Sequence, residues 1–225
     1  MLTKLLIGLL IVISFSIILS IPSHAWLTYH KPEFKGQVIN AETKQPIDGA
    51  VVVAVYNKAT MGVGAGSMSS VINIRETLTD KDGMFRIPSY TTLIQPFSWE
   101  ISASFIIFKP GYGTFPKQHK YPPGLSLPDQ EIFFSAGVGA ERSLKAYVGW
   151  RYEDKILKTG IVELPKLKTW IERIESHESA YIDGDIPDSK IPKFRLILKE
   201  EDNYLKPMYR FDRKKLNIPV GEFPK

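Results

Sequence analysis

The sequence contains no cysteine and only four histidines among its 225 residues. The missing thiols exclude disulfide bonds, thiolate metal sites, thioether haem attachment and lipid modification of an N-terminal cysteine. The fold must therefore be stabilised by its hydrophobic core alone. With 44% hydrophobic and 24% charged residues, the composition is that of a globular chain, long enough for one full domain and a smaller additional segment.

The first 25 residues are typical of an export signal. Lys4 precedes an apolar run over residues 5–19, and the following residues 20–25 end in a small-x-small pattern that predicts cleavage after Ala25. The alternative is an uncleaved signal anchor, because the apolar run is slightly long for a signal peptide. Both alternatives predict an exported chain, either in the periplasm or anchored in the inner membrane. The lack of cysteine favours a bacterial periplasm over a small extracellular module, which usually carries disulfides.

Charge argues against nucleic acid as a partner. The chain has 29 Lys and Arg against 24 Asp and Glu, and the two signs are interspersed without a dense basic run. This distribution predicts an ordinary mixed surface. Contact with a membrane is expected only if the N-terminal segment is uncleaved.

Alternating and β-branched segments separated by Gly and Pro predict a mainly β fold. The predicted strands are residues 34–40, 50–56, 72–78, 84–87, 99–108, 131–135 and 160–164. The second of these is almost entirely apolar, as expected for a strand in the middle of packed layers. Short strands without an intervening helix favour an antiparallel β-sandwich.

The stretch T-D-K-D-G-M-F-R-I-P at residues 79–88 could hold a cation or turn the chain. A calcium loop of the EF-hand type would need a third acidic ligand before its glycine and a glutamate at its twelfth position, and both are missing. We therefore predict a hairpin turn in which Asp80 and Asp82 accept hydrogen bonds from backbone N–H groups and Gly83 adopts a positive φ. Phe85 and Ile87 are then expected in the core.

The character of the sequence changes after residue 164. Leu167, Trp170, Ile171 and Ile174 are spaced for one face of a helix that could begin near Pro165, and residues 194–205 predict a second helix. We therefore divide the chain into a signal (1–25), a β-sandwich domain (26–165) and a partly helical C-terminal extension that packs on the sandwich (166–225).

No motif predicts catalysis, a metal or a cofactor. The glycine-rich residues 62–67 lack the Lys and the helix of a phosphate-binding loop and read as an interstrand loop. His30 and Glu33 match the H-x-x-E spacing of some zinc sites, but Pro32 prevents a helix there. An enzyme on the same sandwich would require His119 or His177 to meet carboxylates in a concave pocket.

Two aromatic loops are the best candidates for contact with a partner. Residues 90–97 and 112–123 flank one predicted strand and are rich in Tyr, Phe and Pro. If both loops are exposed on the sandwich, they would offer a surface for a protein, peptide or glycan. We favour the alternative, in which these rings cover the open ends of the core, because apolar residues mostly pack inside a fold. The candidate residues are Tyr90, Phe97, Tyr112, Phe115 and Tyr121.

Four segments resemble the carboxypeptidase regulatory-like domain family. Gly36–Val38 resembles G-x-V, Thr43–Val52 resembles T-x-x-P-I-x-G-A-x-V, Thr79–Phe85 resembles T-D-x-x-G-x-F and Lys109–Tyr112 resembles K-x-G-Y, in the family's order and rough spacing. The resemblance covers about residues 34–164 and implies a seven-stranded, transthyretin-like β-sandwich. Residues 166–225 lie outside it.

The resemblance also implies a function. In metallocarboxypeptidases this domain accompanies a catalytic domain, and in some outer-membrane transporters it precedes a plug and a barrel. Neither is found in these 225 residues. The resemblance therefore implies an exported, non-catalytic module with a binding or structural role in the bacterial envelope. The alternative is a hydrolase or metal-dependent enzyme built on the same sandwich.

Overall fold

The computed structural model describes residues 28–62, 66–121, 129–148, 150–182 and 186–216, with side chains described up to residue 207. The predicted export signal, residues 1–25, lies outside this range. The described chain is mainly β. Its strands are β1 Thr28–Lys31, β2 Phe34–Asn40, β3 Val51–Gly62, β4 Gly66–Leu78, β5 Met84–Ile87, β6 Tyr90–Leu93, β7 Ser98–Glu100, β8 Ser104–Phe108, β9 Glu141–Val148, β10 Arg151–Lys158 and β11 Ile161–Leu164. Its helices are α1 Gln130–Ser135, α2 Trp170–Ser179 and α3 Pro192–Leu216, with a 3-10 turn at Asp188–Lys190.

Two main sheets carry the fold. One has the order β11-β2-β5, and in the other β3 pairs with β4 along one edge and with β7 and β8 along the other. Strands β1 and β6 form a separate pair, and so do β9 and β10. The expectation of a wholly antiparallel arrangement is corrected at β11, which runs parallel to β2. Parallel pairing is possible here because a long stretch of chain separates the two strands.

The core lies between the two main sheets. Alternate residues of β3, Val52, Ala54 and Tyr56, belong to one buried cluster with Phe34 of β2 and Phe105 of β8. The rings of Phe34 and Phe105 meet edge to face at 4.9 Å between centroids. Such edge-to-face pairs add to the stabilisation from buried apolar area.

The other face of β3 is covered by the C-terminal segment. Val51, Val53 and Val55 form a second buried cluster with Phe194 and Ile197 of α3. Both faces of β3 are therefore buried, which explains its continuous apolar sequence. No helix in the described part of the chain is long and apolar enough to cross a membrane.

Polar contacts hold the helical layer in place. The carboxylate of Glu76 in β4 accepts hydrogen bonds from the backbone N–H groups of Lys193 (2.8 Å) and Phe194 (2.9 Å) in the first turn of α3. Arg173 of α2 forms two hydrogen bonds to the buried Glu201 of α3, which raise the pKa of Arg173. These contacts satisfy groups that would otherwise be buried unpaired.

The turn at residues 79–88 is confirmed as a turn, but it does not close a hairpin. The side chain of Asp80 accepts from the N–H groups of Asp82 (3.0 Å) and Met84 (2.8 Å), and Gly83 has a φ of 71°. Strand β5 pairs with β2 and not with β4, so the turn carries the chain from one sheet to the other. A Cβ on Gly83 would lie 2.4 Å from a carbonyl oxygen of β2, which restricts this position to glycine.

The predicted strand at residues 131–135 is wrong, because this segment forms helix α1. Asp129 caps the helix by accepting from the N–H of Glu131. The adjacent Phe133 and Phe134 are both buried in the core cluster. A strand would direct these two neighbours to opposite faces, whereas a helix can bury both against one surface.

The first C-terminal helix begins later than predicted. Thr169 caps α2 in a capping box with Glu172, so the helix begins at Trp170 and not near Pro165. Trp170 and Ile171 are exposed, while Ser176 on another side is buried. The predicted apolar face is therefore not the packed one. The second helix is confirmed and is longer than predicted.

The remaining strand predictions are confirmed in part. Residues 99–108 form β7 and β8 with a break between them, because the chain leaves the ladder at residues 101–103. Residues 62 and 66 already belong to β3 and β4, and residues 63–65 of the predicted loop lie outside the described range. Strands β1, β6, β9 and β10 were not predicted.

Candidate interaction surface

Phe115, one of the five predicted surface residues, is fully buried and is a correction to the prediction. Its N–H and C=O pair with Ile107 of β8, and its ring lies 5.5 Å from that of Phe134. The segment folds back onto the sheet edge, so the ring enters the core. This residue cannot contact a partner.

Tyr90, Tyr112 and Tyr121 are half-buried and pack against the core cluster. The ring of Tyr90 stacks on Tyr56 at 5.2 Å, and Tyr121 meets His119 edge to face at 4.4 Å. Burial raises the pKa of Tyr121 well above its usual value. The structure therefore does not assemble the five predicted residues into one open surface, and three of them cover the core, as the alternative interpretation proposed.

Phe97 is the exception, with 63% of its surface exposed. It lies in the connection between β6 and β7, where its carbonyl accepts from the N–H of Met61 at 3.1 Å. Other exposed apolar side chains lie at the same end of the molecule. We name this group of exposed residues the charge-free tip. It consists of Met61, Met68, Leu93, Phe97 and Trp99.

A second exposed apolar surface lies on the β9–β10 hairpin. Tyr147 and Tyr152 face each other across the two strands, with ring centroids 5.2 Å apart. Trp150, in the connection beside them, is 96% exposed, and Ile156 continues the same face of the hairpin at 64% exposure. We name this face, Tyr147, Trp150, Tyr152 and Ile156, the aromatic ribbon.

The opposite face of the hairpin holds the ribbon in position. Leu157 belongs to the core cluster, Leu144 packs against that cluster and Ala146 is fully buried. Because side chains alternate along a strand, fixing this face directs the aromatic face to solvent. Strands β9 and β10 pair with each other and with no other strand that the structure describes.

Charged side chains lie on both faces of the hairpin. On the ribbon face, Lys145 and Asp154 form an exposed pair at 3.9 Å, placed between the two tyrosines and Ile156. On the opposite face, Glu153 accepts from Lys155 at 2.8 Å, and this hydrogen bond lowers the pKa of Glu153. The ribbon therefore combines aromatic rings with an ion pair, and surfaces that bind proteins combine apolar and charged groups in this way.

A buried lysine contacts two carboxylates. Lys31 is 2% exposed, and its ammonium lies 2.8 Å from Glu131 and 3.5 Å from Glu100. Nearby, the buried hydroxyls of Tyr29 and Tyr56 have no hydrogen-bond partner among the described residues, and burial raises the pKa of Tyr56 to about 12. The two ion pairs tie β1 to α1 and β7, which is a structural role.

The three described histidines are dispersed. The Nδ1 of buried His119 accepts from the N–H of Glu163 at 3.0 Å, and burial lowers the pKa of His119. His177 lies 3.3 Å from Asp202, and His30 contacts Thr91 instead of joining Glu33. Within the described ranges, no group of three or more His, Asp or Glu side chains could hold a metal ion.

One pocket of about 310 Å³ lies between the sheet that contains β3, β4 and β8 and the C-terminal residues Tyr181 and Ile182. Asn57, Ser69, Ser104, Gln130 and Tyr181 contribute its polar lining. The described lining contains no carboxylate, histidine, lysine or arginine, so these residues offer no acid–base pair for hydrolysis.

Comparison with protein-family models, with curated proteins and with solved structures finds no match for this chain. A proposal of function must therefore rest on the surfaces described above. Of these, the aromatic ribbon combines the highest exposure with a fixed geometry.

Proposed function

We propose that this protein is an exported, non-catalytic β-sandwich module of the bacterial envelope and that it binds a protein partner through the aromatic ribbon. The observation that carries the proposal is the arrangement of Tyr147, Trp150 and Tyr152. The two tyrosines face each other across the hairpin, Trp150 lies in the turn between their strands, and Trp150 is 96% exposed. Trp and Tyr are the residues that most often dominate binding energy at protein interfaces.

The fold itself is part of the proposal. The two main sheets together contain seven strands and contribute to one core, as a transthyretin-like sandwich requires. The turn at Gly83 and the buried Phe85 support the likeness to the carboxypeptidase regulatory-like domain that the sequence motifs suggest.

A protein partner is favoured over a small molecule because the ribbon is an extended face and not a cavity. Its aromatic side chains have few rotatable bonds, so a partner orders them at low entropic cost. The anchoring of Leu144 and Leu157 on the opposite face keeps the strands in place before binding. Preorganisation of this kind increases affinity without additional contacts.

The enzyme alternative has less support. A hydrolase would need His119 or His177 beside a carboxylate in an open pocket, but the His119 ring is packed against Phe115 and Tyr121. His177 and Asp202 lie on the helical layer, apart from the described pocket. Export, to the periplasm or with an inner-membrane anchor, is supported by the N-terminal sequence and the lack of cysteine.

Affinity capture from a bacterial envelope extract tests the proposal. The wild-type chain is compared with a Trp150→Ala, Tyr152→Ala double variant and with Tyr181→Ala, a control that removes a similarly exposed tyrosine (68%) away from the hairpin. We expect wild type and control to retain the same protein and the double variant to lose it.

Retention of the same protein by all three chains would contradict the proposed surface. A captured species that is resistant to protease and is removed by a glycosidase would identify a glycan as the partner and overturn the assignment of a protein. Retention of nothing by the wild-type chain at low salt would count against a binding function.

A further inference from the structure

One end of the molecule is built from segments without charge. Residues 59–74 and 87–99 contain no Lys, Arg, Asp or Glu, and neither do residues 5–29, in a sequence that is 24% charged. The described parts of these three segments converge. Residues 59–74 include the distal part of the β3–β4 hairpin, and residues 87–99 include β6 and its connection to β7. Residues 28 and 29, the described end of the third segment, begin β1.

The convergence is defined by backbone pairing. Thr28 pairs with Leu93, Thr60 pairs with Ser98, and the N–H of Met61 donates to the carbonyl of Phe97. A side-chain contact adds to it, because the ammonium of Lys58 donates to Gln95 in the turn that joins Leu93 to Phe97. The charge-free tip is therefore one end of the fold and not a set of scattered residues.

The tip exposes apolar side chains to an unusual extent. Leu93 is 75% exposed, Met68 72%, Met61 68% and Phe97 63%. Within residues 61–68 and 93–97, the intervening residues are Gly, Val, Ala, Ser, Ile, Gln and Pro, none of which is ionised. Met61 and Met68 lie on opposite faces of the hairpin, because they pair with Ser67 and Thr60. Monomeric proteins seldom expose several large apolar side chains at one end of the fold unless these contact another surface.

We propose that the charge-free tip rests on the surface of a lipid bilayer that holds the apolar run of residues 5–19. Thr28, the first described residue, pairs with Leu93 of the tip, and only residues 20–27 separate it from the end of that run. A connection of this length reaches about 30 Å at most. A bilayer that holds residues 5–19 is therefore always close to the tip.

The chemistry of the tip fits a lipid interface. Insertion of a charged side chain among lipid chains costs free energy. None of the five tip residues is charged, so the tip avoids this cost. Trp99 is of the type that prefers the boundary between water and lipid. The five tip residues carry no charge, and the ammonium of Lys58 beside them is hydrogen-bonded to Gln95, so we expect binding to need no anionic lipid. The inference rests on the exported location in the proposed function. Of the two locations given there, it selects the inner-membrane anchor over release into the periplasm.

Single-cysteine labelling tests the inference, because the natural chain contains no cysteine. The full chain is reconstituted in phosphatidylcholine vesicles after Leu93→Cys or Met68→Cys and attachment of an environment-sensitive fluorophore. Leu196→Cys on α3, whose side chain is 69% exposed, is the matched control. Thermal unfolding of each labelled variant verifies that the fold is retained.

We expect the emission at positions 93 and 68 to shift to the blue and to be quenched by lipids that carry a quencher near the headgroup. The emission at position 196 should remain that of a label in water. Equal, water-like emission at all three positions would overturn the inference.

Shielding of positions 93 and 68 without quenching by lipid would also overturn it, because residues 1–27 or a second copy of the chain would then cover the tip. Cleavage after Ala25 in cells, read from the mass of the purified protein, would overturn it as well. Each result leaves the proposed partner binding intact, because the vesicles contain no partner and the aromatic ribbon is not altered.

Discussion

The core and the aromatic ribbon use the same kind of side chain in opposite settings. In the core, Phe105 contacts Phe34 at 4.9 Å and Phe134 at 4.5 Å and is 1% exposed. In the ribbon, Tyr147 and Tyr152 contact each other at 5.2 Å but remain half-exposed or more. The core rings are removed from water on folding, whereas the ribbon rings remain largely in contact with water.

This difference separates stability from binding. The free energy of burying an aromatic ring contributes to folding only where the fold removes the ring from water. The ribbon keeps that free energy available for association with another surface. Substitutions in the two regions should therefore have separable effects, and the following predictions are ordered by their expected effect on the free energy of unfolding.

Phe105→Ala should have the largest effect. It leaves a cavity between the two sheets and removes contacts with the rings of Phe34 and Phe134. We expect a loss of about 3–5 kcal/mol in the free energy of unfolding, measured by urea denaturation. A loss below 1 kcal/mol, similar to that of Tyr152→Ala as the exposed control, would contradict the assignment of the core.

Glu76→Ala should have an intermediate effect. The substitution removes the acceptor for two N–H groups in the first turn of α3, and we expect a loss of about 1–2 kcal/mol in the free energy of unfolding. Glu178→Ala, at an exposed position of α2, is the control. Hydrogen exchange should localise the loss to the beginning of α3. A uniform change over the molecule would contradict the role of Glu76.

Acid should destabilise the protein through His119. Burial lowers the pKa of His119 in the folded protein. As the pH falls through the usual histidine pKa of about 6.5, this imidazole takes up a proton in the unfolded chain but stays neutral in the folded one. The stabilisation is complete above that pH and is lost as the pH falls through it toward the lower folded pKa. His119→Asn, which retains an acceptor for the N–H of Glu163, should weaken this dependence. An unchanged pH profile of the thermal midpoint would contradict it.

Trp150→Ala should have the smallest effect on stability. The side chain is 96% exposed, so its removal should change the free energy of unfolding by less than about 0.5 kcal/mol. Urea denaturation beside Phe105→Ala measures the contrast directly. A loss above 1 kcal/mol would mean that Trp150 supports the hairpin, and the separation of stability from binding would fail at this residue.

The sequence predicts the two-sheet core better than the surface. The strands β2, β3, β5 and β11, the turn at Gly83 and the burial of Phe85 follow from local patterns that the structure confirms. The pairing of β5 with β2 could not be predicted, because the turn before β5 has the same chemistry whether it closes a hairpin or crosses between sheets.

The surface depends on contacts that sequence does not carry. Phe115 and Phe97 both lie in aromatic loops, yet one is buried against Phe134 and the other is exposed. The hairpin had a signal, because Leu144, Ala146 and Val148 alternate with charged or polar residues before a Gly-Trp pair. The alternation does not say which face of the hairpin packs on the core, because that depends on tertiary contacts.

The most direct test of the central claim is to measure affinity and stability in the same variant. The dissociation constant of the captured partner is determined by calorimetry for wild type, the Trp150→Ala, Tyr152→Ala double variant and Tyr181→Ala, together with the thermal midpoint of each. We predict that the double variant loses at least about tenfold in affinity, or 1.4 kcal/mol, at an unchanged midpoint, and that the control matches wild type. Unchanged affinity in the double variant, or a loss that occurs only together with unfolding, would contradict the claim that the aromatic ribbon is a binding surface.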